Sequence, residues 1–311
     1  MKTCIHSFIR VLAGAVLLVA ASASSQTLFV SAGNYEGPFL PIVTESVGSI
    51  YEAKQGEAPG IYATDLGVVR GITFNDGGDL FVASAMNITE ITPGGSKSTY
   101  TSELGSTFGL AFNNSGDLFV SSQGLEIGTG SITEIAPGGA QTTFATGLLQ
   151  PRGLAFNNAG DLFVANLGSS NIDEITPSGM KTVFASGLDE PVGLTFNSAG
   201  DLFVTEMGNG DIAEITSGGT VSTFATGLES PRDLIFDSTG DLFVSNLGTE
   251  GIDGNDGYLT EITPDGTKTN FDVGFENPYG LAFSPVPEPS TWALLGAGGM
   301  VLFLRNRKIT R

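Results

Sequence analysis

The pentapeptide Gly160-Asp161-Leu162-Phe163-Val164 constrains this chain more than any other stretch. It recurs at 78–82, 116–120, 200–204 and 240–244, and a degenerate copy, Thr27-Leu28-Phe29-Val30, stands near the N-terminus. From Asp79 onward the Asp-to-Asp spacings are 38, 44, 40 and 40 residues. A period in this range is the mark of a repeat architecture. Each copy places three consecutive apolar residues directly after a turn. A strand with one wet face would alternate, so a continuous apolar run predicts a strand covered on both faces.

Each repeat carries four strand signals. In the third repeat these are 153–156, 161–165, 172–176 and 181–185. Asn157-Asn158-Ala159-Gly160 and Pro177-Ser178-Gly179 are the turns, built from residues that tolerate positive φ or preset a bend. Short strands between Gly-rich turns, with no helical period, predict an all-β fold. Four strands per repeat of about 40 residues read as one blade of a β-propeller. First strands recur at 71–74, 109–112, 153–156, 193–196, 233–236 and 280–283, and the last has no partners after it. The N-terminal segments 27–30, 48–53 and 60–64 supply the missing three. The expectation is therefore a six-bladed propeller spanning 24–285, its last blade closed by N-terminal strands. Such closure removes exposed sheet edges. Of the 21 phenylalanines, 16 fall on repeat positions of the first, second and fourth strands. They are expected to pack between blades rather than form a ligand platform.

The repeated pattern Pro-x-Gly-Leu-x-Phe, Gly-Asp-Leu-Phe-Val, Ile-x-x-Ile resembles the NHL-repeat and gluconolactonase-like propellers over residues 26–284. The resemblance implies the fold and leaves the function open.

Both ends read as sorting signals. Lys2 and Arg10 bracket a basic region, 11–21 is apolar, and Ala21-Ser22-Ala23 is a small-x-small cleavage site. Residues 1–23 are expected to be a secretory signal peptide, set aside from the fold. At the other end, Pro287-Glu288-Pro289 is followed by an apolar segment, 291–304, and by Arg305, Arg307 and Lys308. The stretch 286–311 resembles the bacterial PEP-CTERM sorting signal. That resemblance implies export, anchoring through a short C-terminal membrane helix, and processing by an exosortase-type enzyme, with release or attachment at the cell surface. The basic end is expected to stay cytoplasmic. As a helix the segment is about 21 Å long, short for a hydrocarbon core of about 30 Å, which suits an anchor meant for removal.

Cys4 and His6, the only cysteine and histidine, both lie in the leader. The exported chain then has neither, which excludes disulfides, thiolate metal sites and histidine-dependent chemistry. The body between the signals keeps 7 basic and 32 acidic residues, about −25. A field of that sign makes nucleic acid and anionic membrane surfaces poor partners. An exopolysaccharide or a surface protein remains open as a partner.

The motif aspartates 79, 117, 161, 201 and 241, and the third-strand glutamates 90, 134, 174, 214 and 261, recur identically and are expected to be scaffold. Each Asp follows a turn, where it commonly accepts backbone N–H bonds. Departures from the repeat say more. Length variation concentrates after the second strands, at 32–47, 123–130 and 247–257. In a propeller that puts the variation on one face, the expected binding face. Just before the first strands stand Arg70, Phe108, Arg152, Val192, Arg232 and Tyr279. Three of the body's seven basic residues thus occupy equivalent places in alternate blades. They are candidates for a collar holding an anionic group, with Phe108 and Tyr279 beside them. The alternative is that they neutralise nearby acids such as Glu206. Asn166, Glu206 and Asn246 end second strands in adjacent blades and could offer oxygen ligands to Ca²⁺. Asp253-Gly254-Asn255-Asp256-Gly257 is a second calcium candidate, without the spacing of an EF-hand loop.

Two functions compete. One is a non-catalytic, exported binding or scaffold protein, favoured by the regular blades and the lack of histidine and cysteine. The other is an enzyme, either a metal-dependent gluconolactonase-like hydrolase or a streptogramin-lyase-like enzyme. The first enzyme family uses a divalent metal on a Glu/Asn/Asp set, which here only Glu206, Asn166 and Asn246 approximate. The second relies on a histidine.

Overall fold

A computed structural model of the chain describes residues 26–33, 48–53, 58–124, 128–249 and 256–285, apart from the side chains of 271–273. One compact unit spans Thr27–Ser284. The leader 1–23, the Pro287-Glu288-Pro289 motif, the apolar segment 291–304 and most of the 253–257 loop lie outside the described residues. Among the described residues no helix is long and apolar enough to cross a membrane.

The unit is a six-bladed β-propeller, and each blade is a four-stranded antiparallel sheet. Blades 1 to 5 begin at Val69, Ser106, Pro151, Pro191 and Pro231. Blade 6 joins the two ends of the chain. Its inner strand is Pro278–Phe283, and its next three are Leu28–Ala32, Ser49–Ala53 and Gly60–Ala63. Phe29 pairs with Ala282 and Val30 with Leu281, so the predicted closure forms. Observed strands exceed the expected ones mainly at the inner edge. The third blade starts at Pro151 rather than Gly153 because Pro151 pairs with Asn166.

Why the motif strand is apolar throughout follows from its surroundings. Along Leu162–Asn166 alternate side chains enter different seams. Phe163 faces blade 4, in a cluster with Leu194 and Val204. Leu162 and Val164 face blade 2, in a cluster with Phe119 and Ile132. Both faces are dry, so both must be apolar. The aromatics form one repeated joint. Phe163 meets Phe184 of its own blade edge-on at 4.9 Å, and Phe196 of the next blade at 5.1 Å. Phe29, Phe81, Phe119 and Phe203 repeat the arrangement. Edge-to-face pairs at this spacing favour the ring quadrupoles.

The turn before each motif differs from expectation in one respect. The residue that accepts the backbone N–H groups is Asn157, not Asp161. Its Oδ1 takes the N–H of Ala159 and of Asp161, both at 2.9 Å. Its Nδ2 donates to the Asp161 carboxylate at 3.0 Å. An amide carries a donor and an acceptor, where an ionised carboxylate only accepts, so Asn closes the turn and donates its N–H to Asp. In blade 5 Asp237 replaces the Asn, and the Thr239 hydroxyl bridges both carboxylates instead.

Every inner strand also carries a bulge. Pairing runs from Pro151↔Asn166 to Leu154↔Val164, so Arg152 and Gly153 together oppose one residue. The same shift occurs at 70–71, 108–109, 192–193, 232–233 and 279–280. A bulge bends its strand and re-aims the side chain there. Here the bulged residues of five blades line the mouth of the channel.

Candidate functional site

The bulged residues meet where the sequence places them. Arg70, Phe108, Arg152, Arg232 and Tyr279 line a single cavity of about 290 Å³ at the mouth. Val192 sits one level lower, around a narrower space of about 40 Å³ that shares Phe108, Arg152, Arg232 and Tyr279 with the cavity above.

Their backbone is held by hydroxyls from the preceding blade. Ser121 bonds to the Arg152 carbonyl, Thr205 to that of Arg232 at 3.0 Å, Ser245 to that of Tyr279 at 2.6 Å, and Ser31 to that of Arg70. Ser121 and Thr205 also accept the N–H of the glycine beginning their own blade, both at 2.8 Å. At the equivalent second-strand positions Ala83 and Ala165 precede Phe108 and Val192. Hydroxyls thus stand before arginine and tyrosine, and alanines before the apolar heads.

The three guanidiniums are not equivalent. Arg70 donates to Ser106 at 2.9 Å and to the Thr107 carbonyl at 2.8 Å. Arg152 donates to Gln123 at 3.2 Å. Both stack on Phe108, 4.0 and 3.7 Å from its centroid, one from the preceding blade and one from the following. Cation–π contacts of this kind are stronger when desolvated. Arg232 is different. It reaches the Met207 thioether at 2.7 Å and lies 5.9 Å from the Tyr279 centroid. Half-buried, it forms no ion pair with Glu206. Glu206 instead accepts the Asp189 N–H at 2.8 Å.

Asn166, Glu206 and Asn246 are buried, and none lines the mouth cavity. Each shares a strand face with a valine of a different seam: Val164 toward blade 2, Val204 toward blade 3, Val244 toward blade 4. Asn246 donates to Thr260 at 3.0 Å, and Asn166 bonds to the Asp173 carboxylate. Both asparagines keep a buried Oδ1 without a hydrogen bond, but in separate seams. Among the described residues no group of three or more His, Cys, Asp or Glu is placed to hold a metal ion. In the other calcium candidate, Asp256 accepts the Thr249 N–H at 2.8 Å.

Two features escaped sequence reasoning. The inner strands carry glycine at the second bulge position in five blades, since a Cβ there would meet the next blade's backbone: at Gly153 it would lie 2.5 Å from the Val192 carbonyl. In blade 5 that residue is Asp233. Its carboxylate accepts the N–H groups of Leu234 and Leu281, both at 2.9 Å. Strands enclose it on all sides, yet part of its surface opens on the channel. Desolvation raises its pKa and the two N–H groups partly offset this, leaving it at about 6. The signal was the one departure from glycine. The second feature is apolar. Leu167, Met207 and Leu247 follow the second strands of blades 3, 4 and 5 and line the mouth together. Asn-Leu-Gly, Glu-Met-Gly and Asn-Leu-Gly at one repeat offset were the signal.

Residues 285–308 match the family model of the PEP-CTERM protein-sorting motif. The chain carries a PEP-CTERM sorting motif. That motif implies export, membrane-anchored sorting to the cell envelope and processing by an exosortase. No curated protein matches the chain. Among solved structures, a protein of unknown function from Bacteroides caccae aligns at 15% identity, covering 84% of this chain and 100% of its own, with TM-score 0.62. A streptogramin B lyase aligns at 17%, covering 83% and 92%, with TM-score 0.59. A catalytically inactive virginiamycin B lyase from Staphylococcus aureus with quinupristin aligns at 16%, covering 82% and 92%, with TM-score 0.57. At such identities the likeness is one of fold. The PEP-CTERM chain shares the propeller with these lyases.

Proposed function

We propose that this exported PEP-CTERM propeller is a non-catalytic binding protein that holds an anionic ligand at the mouth of its channel. Arg232 carries the reading. Its half-buried guanidinium has five N–H donors in a fixed fork and pairs with no carboxylate among the described residues, reaching only a thioether. In a body of about −25 with 32 acids, a cation that forms no ion pair among the described residues is best explained by an anion that arrives from outside. Bidentate pairing with a carboxylate or sulfate is what the fork is shaped for. Arg70 and Arg152, stacked on Phe108, add positive potential around the same space. Arginine stays charged at working pH and cannot shuttle protons, so the collar suits holding rather than turnover.

Titration calorimetry of the chain with sulfate and with simple carboxylates tests this. Binding that Arg232→Ala weakens about tenfold or more is expected, as for a lost charge-assisted pair. Identical heats for the two proteins would refute the collar. The enzymatic alternative stays open beside it, because fold does not carry function, and a lactone-hydrolysis assay with added divalent metal separates the two. Turnover above background would favour the enzyme.

A further inference from the structure

The anion reading leaves open what kind of molecule bears the charge, and the walls of the cavity narrow it. Resting on that reading, we infer that the ligand is a small carboxylate with an apolar body, of the aryl or branched-alkyl class, rather than an acidic sugar.

Three observations converge. The first is the distribution of side chains around the ring. The residue three places after each second-strand valine is Gly33, Ala85, Gln123, Leu167, Met207 and Leu247 in blades 6, 1, 2, 3, 4 and 5. The three large apolar side chains fall on consecutive blades, and all three line the cavity. They form a continuous apolar arc. Gly33, which also lines the cavity, faces it from the small-residue side, leaving room for a ligand body laid against the arc. An anion-binding surface for a polymer of sugars gains nothing from such an arc, whereas an apolar body gains from every methylene it removes from water.

The second is a mismatch between donors and acceptors. The polar side chains among the described lining residues are the three arginines, Asn277 and Tyr279. Arginine donates and cannot accept. A uronic acid would bring several hydroxyls, each needing an acceptor, into a space whose described side chains offer as oxygen acceptors only those of Asn277 and Tyr279. Hydroxyls desolvated without acceptors are penalised. A carboxylate on an apolar body brings acceptors alone, which is what guanidiniums require.

The third is size. A cavity of about 290 Å³ lies at the small end of small-molecule sites. It suits one ring and a short acid arm.

Competition calorimetry on the full chain in a nonionic detergent tests the inference, with phenylacetate, 4-methylpentanoate, glucuronate and inorganic sulfate as probes. Phenylacetate is expected to bind about tenfold more tightly than glucuronate at equal charge. Leu167→Gln, a half-buried position whose change spares the core, is expected to remove most of that advantage and to leave sulfate binding as it was. Its unfolding temperature serves as the control for folding. Glucuronate binding as tightly as phenylacetate, or an unchanged preference in Leu167→Gln, would overturn the apolar-body inference while leaving the anion collar standing. If none of the four probes gives heat, the collar reading falls, and this inference with it.

Discussion

Phe163 and Arg232 belong to blades 3 and 5 of one propeller, yet the seams and the mouth are built by opposite rules. In the described seams five of the six blades contribute the motif-strand phenylalanine to the same two-sided joint. Phe29, Phe81, Phe119, Phe163 and Phe203 each touch one aromatic of their own blade and one of the next. At the mouth no two adjacent blades agree: arginine, phenylalanine, arginine, valine, arginine and tyrosine follow one another around the ring. Identical joints are what a closed ring needs, since a misfit in one seam must be taken up by the others. Nothing in ring closure asks for the mouth sequence. A chain with 32 acids in its body nonetheless keeps three of its seven basic residues there. Sameness around the axis thus marks scaffold, and patterned difference marks the place to look for a ligand.

The largest effect should come from breaking a seam. Phe163 is buried and belongs to an aromatic joint across two blades. Phe163→Ala should cost about 3–5 kcal/mol in denaturant unfolding, with anion affinity at the mouth preserved in the folded fraction. A large loss of affinity without a loss of stability would erase the distinction between seam and mouth.

The next effect tests Asp233, the single residue that breaks the inner glycine ring. Its folded pKa, about 6, lies above the ordinary 3.8. The folded state therefore binds a proton that the unfolded state has already released between those values. Stability from this group falls as pH rises from about 4 to 6, and the penalty is complete above that window. Allowing for channel water, it amounts to about 2 kcal/mol. Asp233→Gly should remove it, so the stability of the variant relative to the natural chain should increase by that amount between pH 4 and pH 7. A constant difference across the window would show that Asp233 is not strained by burial.

Thr205 joins the two regions. Its hydroxyl accepts the Gly193 N–H and donates to the Arg232 carbonyl, wholly buried between blades 4 and 5. Thr205→Ala should cost about 1–2 kcal/mol for the two bonds lost. The chain itself uses alanine at 83 and 165, ahead of Phe108 and Val192, so the change should be tolerated by the fold. No measurable change would mean that the hydroxyls before arginine are incidental.

How much of this was legible depends on whether a feature is local. The period, the closure of blade 6 and the packing role of the phenylalanines follow from pattern alone, because burial on two faces writes itself into consecutive apolar residues. The arginine ring was legible as an alternation. Its convergence on a cavity was not, because it requires the bulge, a two-against-one pairing set by backbone hydrogen bonds between strands rather than by residue type. The division of labour in the turns was half legible: Asn157 and Asp161 were visible as a pair, but which of them caps the turn depends on the amide having both a donor and an acceptor. Asn166, Glu206 and Asn246 share a repeat offset, and the valines two residues before them pack in three different seams. Asp233 and the Leu167–Met207–Leu247 arc were written plainly as departures at fixed offsets.

The smallest effect on stability should be the most telling for function. Arg232→Ala removes a half-buried cation whose described partners are a thioether and a distant ring. Unfolding should shift by no more than about 0.5 kcal/mol, as for substitutions away from packed features. Against that, anion binding should fall about tenfold or more, and the salt dependence of what remains should flatten. Lysine at the same position separates charge from geometry. Arg232→Lys keeps the positive potential but loses the planar fork, so it should recover the long-range attraction and only part of the affinity. Full recovery by lysine would make the mouth a diffuse electrostatic basin. No recovery would make it a shaped site in which one guanidinium, at one bulge, reads the acid group of the ligand.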